Sequence, residues 1–226
     1  MQRFKNILVL MDNGRRTNHV LERAMEMARR NHARITITGV LDALPRDMQR
    51  LVAAIGPADL LELAVEERLA ELEMMAGPGR EEGMTIGTRV LCGTPFLAIV
   101  REVLREGHDL VMMMAEEKTA LGEALFGSTS MHLMRKCPCP VWVMSPAQRH
   151  KYARVLAAVD PVTSEAAHQA LNARIMELAI ALSRMEGSEF HVVHAWFPFV
   201  ERAFPPGSRL PAEDKERITR QCAETH

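Results

Sequence analysis

Asp109 to Met144 reads DLVMMMAEEKTALGEALFGSTSMHLMRKCPCPVWVM. Leu110 to Met114 is a short, continuous apolar run of the kind found in strands buried on both faces of a parallel sheet. Gly127-Ser128-Thr129 opens a helical stretch, and Val141 to Met144 makes a second strand after it. Strand, helix and strand in that order form a βαβ unit, and backbone amides at such a helix start suit an anion. How closely an anion can approach depends on the residues that follow the first strand. Here they are Met114, Ala115, Glu116 and Glu117 rather than small residues. Two carboxylates at that place repel phosphate.

Upstream, strand and helix patterns alternate in the way that implies a parallel sheet covered on both faces. Asn6 to Leu10 is an apolar strand ending at Asp12. Thr17 or Asn18 can cap a helix to about Arg30, with Val20, Leu21, Ala24, Met27 and Ala28 on one face. Ile35 to Val40 is a second strand. A long charged helix from about Pro57 to Ala76 follows, with Leu60, Leu61, Ala64, Leu69 and Leu72 as its expected buried stripe and Gly77-Pro78-Gly79 as its stop. Thr85 to Leu91 is a third strand, and Thr94-Pro95 starts a helix to about Glu106. Five strands and four main helices result.

After Ser145-Pro146 the pattern starts again. RVLAAVD, Arg154 to Asp160, repeats the register of NILVLMD, Asn6 to Asp12, including the closing aspartate. A helix from about Ala166 to Met185 leads through Gly187 to a strand from Glu189 to Trp196, the counterpart of Arg34 to Leu41. Beyond Trp196 a Pro-rich loop and a polar helix from Pro211 to about Glu224 are expected. The reading is one domain at residues 1–146 and a partial second copy at residues 147–226.

Composition bounds the partners. With 47% hydrophobic and 25% charged residues and a net charge of −1, the chain has the make-up of a soluble globular protein and no basic field for nucleic acid or an anionic membrane. MQRFK leads straight into a strand rather than a leader, and no apolar run reaches membrane-spanning length, so a cytoplasmic location is expected. Four cysteines form no disulfide framework and have no metal spacing with histidine. Cys137 and Cys139, set between prolines in KCPCP, are expected to be an extended lead into a strand. His191 and His194, three apart, point to opposite faces of a strand and converge on no metal. The methionines, Met112 to Met114 with Met25, Met27, Met74 and Met75, are expected in the core. His132 stands one turn from Ser128 without a third member, so no catalytic residue is assigned and no enzyme is expected.

Residues 3–144, and above all GHDLVMMMAEEKTALGEALFGSTSMHLMRKCPCPVWVM, with HDLV, the alanine after the strand, HLMRKCP and the closing PVW, resemble the tandem-domain type of the universal stress protein family. The resemblance implies a Rossmann-like, flavodoxin-like α/β fold of strand order 3-2-1-4-5. It puts a ligand site at the carboxyl ends of strands one and four, where the order reverses. ATP-binding members carry G-x2-G-x9-G-[ST] after strand four, with an aspartate ending strand one. Asp12 holds the aspartate position, and Gly127 and Ser128 hold the last two motif places. Met114 and Glu117 replace the first two glycines, which removes backbone freedom and adds bulk and charge where phosphate would lie. The resemblance thus implies a degenerate site of Asp12, the Val40 backbone, Gly127, Ser128 and Thr129. ATP is its candidate ligand, although Ser128 also reads as a simple helix cap. It further implies a stress-response protein acting by association, with a homodimer through Val141–Met144 or pairing with other universal stress proteins.

Overall fold

The computed structural model describes residues 4–11, 18–42, 57–115, 127–145, 152–161, 165–195 and 211–225. The chain divides into two compact units, Met1–Arg149 and His150–His226.

The first unit is a five-stranded parallel sheet of β1 (Asn6–Leu10), β2 (Arg34–Leu41), β3 (Ile86–Cys92), β4 (Leu110–Met114) and β5 (Val141–Met144), in the order β3-β2-β1-β4-β5. Its helices are α1 (Asn18–Asn31), α2 (Pro57–Glu81), α3 (Pro95–Glu106) and α4 (Ser128–Lys136). Because side chains alternate along a strand, β1 sends Ile7 and Val9 to one face and Leu8 to the other, and all three are fully buried. Leu8, Val111 and Met113 pack with Ile99 and Val103 of α3 and Leu133 of α4. Val20, Leu21, Ala24, Met27 and Ala28 of α1 are buried as their spacing predicts. Met112 and Met113 are core residues, whereas Met74 is 73% exposed.

At the amino end of the sheet Asp109 joins the two central strands: its carboxylate accepts from the backbone N–H of Lys5 at 2.6 Å and of Asn6 at 3.1 Å. Glu102, buried in α3, is held by Arg105, with Arg89 of β3 at 3.3 Å. Burial pushes its carboxyl pKa up, against the pull of Arg89.

α2 departs from expectation twice. It runs through Gly77-Pro78-Gly79 to Glu81, and Gly83, at φ 82°, turns the chain. The last turns persist because Gly79 lies directly on Ile86 and Met25, while Arg80 binds Glu73 one side and donates to the Ile86 carbonyl at 2.8 Å on the other. Of the expected stripe only Leu72 is buried. Leu60, Leu61 and Leu69 are exposed and Ala64 is half-buried. A 25-residue helix is about 37 Å long, against about 23 Å for a seven-residue strand, so its first half overshoots the sheet.

The second unit pairs β6 (Arg154–Ala158) with β7 (Glu189–Val193) in parallel, with α5 (Ala166–Glu186) and a final helix α6 (Ala212–Thr225). Val155 and Ala157 pack with Ala179, Ile175 and Phe190, and Gly187, at φ 70°, ends α5. On the opposite face Leu156 and Val193 are exposed.

Candidate functional site

The strand order reverses between β1 and β4, and ligands in open α/β sheets bind at the carboxyl edge of such a reversal. There β1 ends in Leu10 and the buried Met11, whose N–H donates to the Thr38 carbonyl at 2.7 Å. β2 ends in Val40 and Leu41, with Val40 opposite Leu91 and packed against the α3 and α4 side of the core. Asp12, which follows Met11, and Glu116, Glu117 and Lys118, which follow Ala115, lie outside the described residues.

Gly127 is buried and stands at the N-cap of α4 with extended backbone, φ −65° and ψ 170°. Ser128 is therefore the first helical residue, not the cap. It is exposed, Thr129 is half-buried, and among the described residues no side chain caps the helix. Ser130 turns inward and donates from Oγ to the Gly127 carbonyl at 2.9 Å. No acidic residue stands in the first turn of α4, and Arg135 and Lys136 stand in the last. That distribution keeps the amino end receptive to negative charge.

Met114, in the place of the first motif glycine, is the last residue of β4 and pairs with Met144 of β5. Ala115 is buried, and its N–H donates to the Met144 carbonyl at 2.7 Å. The chain thus stays in the sheet ladder where a glycine would let it turn toward a phosphate. The carboxyl ends of β1, β2 and β4 and the start of α4 lie along one edge of the sheet, with Met114 at the end of β4.

One contributor to this edge escaped the sequence reading. Arg68 of α2 is buried, and its guanidinium donates to the Met11 carbonyl at 2.8 Å and pairs with Glu71 at 2.5 Å. It lies on Gly39 so closely that a Cβ there would come within 2.5 Å of Nε. A glycine inside an apolar strand run, TITGVL, is the available signal of such an approach. In the second unit, the backbone of Asp160 is clasped by Asn172, which accepts from its N–H at 3.1 Å and donates to its carbonyl at 2.5 Å. His191 lies near Glu189 at 3.4 Å, and His194, just past β7, lies 3.1 Å from the Val159 carbonyl.

A five-stranded parallel 3-2-1-4-5 sheet with its helices defines a Rossmann-like α/β protein. Residues 3–145 match the universal stress protein family, and the chain belongs to it. It is 29% identical over 199 residues to Universal stress protein E of Photorhabdus laumondii, covering 87% of this chain and 63% of the relative. It is likewise 29% identical over 198 residues to Universal stress protein E of Escherichia coli K12, with the same coverage. The chain thus spans 63% of the length of these curated relatives. The crystal structure of a functionally unknown protein from Pseudomonas aeruginosa PAO1 has the same fold, with TM-score 0.63, 22% identity, and coverage of 99% of this chain and 69% of that one. Among the described residues no helix is long and apolar enough to cross a membrane.

Proposed function

We propose that this universal stress protein acts in the stress response without catalysis, through protein association, and that its nucleotide site is degenerate. The observation that carries the reading is Met114, which stays paired in the sheet where ATP-binding relatives of this family place a glycine. Glu117 at the second glycine position adds charge of the wrong sign for a triphosphate. Association is supported by β5. Because the Pro140 and Met144 carbonyls accept from Val111 and Ala115, the alternation of the strand turns the N–H and C=O of Val141 and Val143 to the outer edge of the sheet. An apolar edge of this kind is a template for a second strand, and a homodimer through Val141–Met144, or pairing with another universal stress protein, satisfies it.

A rival reading, binding of ATP or a related adenylate through Asp12, the Val40 backbone and Gly127-Ser128-Thr129, is favoured by one feature: the start of α4 has no side-chain cap. Calorimetry with ATP and magnesium separates the two. The degenerate-site reading predicts no binding heat for the wild-type chain and binding by the Met114→Gly, Glu117→Gly double variant. Binding by the wild type overturns it in favour of a nucleotide-responsive module.

A further inference from the structure

The loop between α4 and β5 brings two thiols together, away from the carboxyl edge of the sheet. Cys137 is the C-cap of α4, with its N–H held by the Leu133 carbonyl at 2.9 Å and its backbone extended at φ −70° and ψ 132°. The chain bends through Pro138 so that the Cys139 sulfur returns to within 3.6 Å of the Cys137 sulfur. Pro138 and Pro140 fix φ on either side of Cys139, so this approach is held by the backbone. Both thiols are half-buried: they rest on the α3 and α4 side of the core and remain open to solvent. Among the described residues no third histidine, cysteine or carboxylate joins them in a metal-binding cluster.

We propose that Cys137 and Cys139 form a redox-active dithiol that closes to an intramolecular disulfide by exchange with a low-molecular-weight disulfide. The sulfurs need to approach from 3.6 Å to a bonded distance of about 2.0 Å. The two cysteines have different tasks. The hydrogen bond from Cys139 pulls the Cys137 thiol down to about 7, so a large share of it is thiolate near neutrality. Its partner is pushed up by the same hydrogen bond, by burial and by the Cys137 charge, and holds its proton. Cys137 is the attacking sulfur and Cys139 the resolving one.

In the first step the Cys137 thiolate attacks one sulfur of the small disulfide, forming a mixed disulfide and expelling a small thiolate. Bonding of Cys137 to the small molecule then removes the negative charge that kept Cys139 protonated. Cys139 gives its proton to a thiolate leaving group and attacks the Cys137 sulfur, and the second small thiol departs. Two electrons pass from the protein dithiol to the small disulfide, which leaves as two thiols. The new bond would sit between the helix Ser128–Lys136 and the edge strand Val141–Met144.

The test uses the full chain with Cys92→Ser and Cys222→Ser, so that only this pair reports, and oxidised glutathione as the probe. Expected is the joint loss of two alkylatable thiols and an intact mass lower by two hydrogens, both reversed by dithiothreitol. In the added Cys139→Ala variant the reaction stops at a glutathione adduct on Cys137, and the midpoint of Cys137 alkylation against pH moves up from about 7 toward the ordinary thiol value. In the Cys137→Ala variant the hydrogen bond and the charge that raise Cys139 are gone, no intramolecular disulfide forms, and the mass rises by one glutathione on Cys139 instead of falling by two hydrogens. Persistence of both thiols under excess oxidised glutathione overturns the proposal. So does a stable glutathione adduct on Cys137 while Cys139 is present.

Discussion

His108 shows what a single buried residue costs. It follows Gly107 at the amino end of β4, is 5% exposed, and among the described residues neither ring nitrogen has a hydrogen-bond partner in direct reach. Burial pushes its pKa below the usual 6.5. The Asn6 backbone, Glu106 and Asp109 pull the other way, and Arg34 reinforces the fall. The folded chain therefore holds His108 neutral while the unfolded chain protonates it near 6.5. Stability from this residue is complete above that value and declines as pH falls through it toward the lowered folded value. Urea unfolding between about pH 8 and about pH 6 should show this loss in the wild type and a smaller one in His108→Leu, which cannot titrate. Equal slopes in the two proteins would assign the pH dependence to other groups. At this scale the sequence is least informative. His108, Arg68 and the cysteine pair all draw their character from residues distant in the chain or from a bend, and neither is visible in spacing.

Among the elements, α2 gives the sharpest lesson. Gly77-Pro78-Gly79 carries every local stop signal, yet the helix continues because contacts with the sheet and with Glu73 outweigh propensity. Two glycines two residues apart then predict different outcomes. Apart from its chain neighbours a Cβ on Gly77 meets nothing within 4 Å, but the Pro78 ring disfavours helical backbone for a preceding residue that bears a Cβ, so Gly77→Ala should change stability by less than about 1 kcal/mol in urea unfolding. A Cβ on Gly79 would fall 2.4 Å from Ile86 Cδ1 and 2.8 Å from Met25 Cε, and Gly79→Ala should destabilise by roughly 1–3 kcal/mol. Equal effects would contradict the packing that carries α2 past its stop signals. The exposed Leu60, Leu61 and Leu69 belong to the same lesson, since periodicity reports a face but not how far along it the sheet extends. Shorter elements were legible because their length matches the sheet: α1, α3, β4 and β5 fall within a residue or two of the positions their patterns predict.

For the whole molecule, alternating strands and helices made a parallel sheet legible, while its order β3-β2-β1-β4-β5 was legible only through the family resemblance. The candidate site was legible only in part. Gly127 marked the start of α4, and Gly39 inside an apolar run signalled a close approach without naming Arg68 as the residue that makes it. The second unit repeats β1-α1-β2 as β6-α5-β7, with Leu156 and Val193 exposed on the sheet face away from α5. Association is the central claim, and it rests on the edge presented by β5. Light scattering of the intact chain at micromolar concentration tests it most directly. The account predicts a mass of twice 25.3 kDa, reduced to a single chain by Val143→Pro, which removes an outward N–H without touching the ladder to β4. A wild-type chain of single mass, or a dimer indifferent to Val143→Pro, would contradict association through this strand.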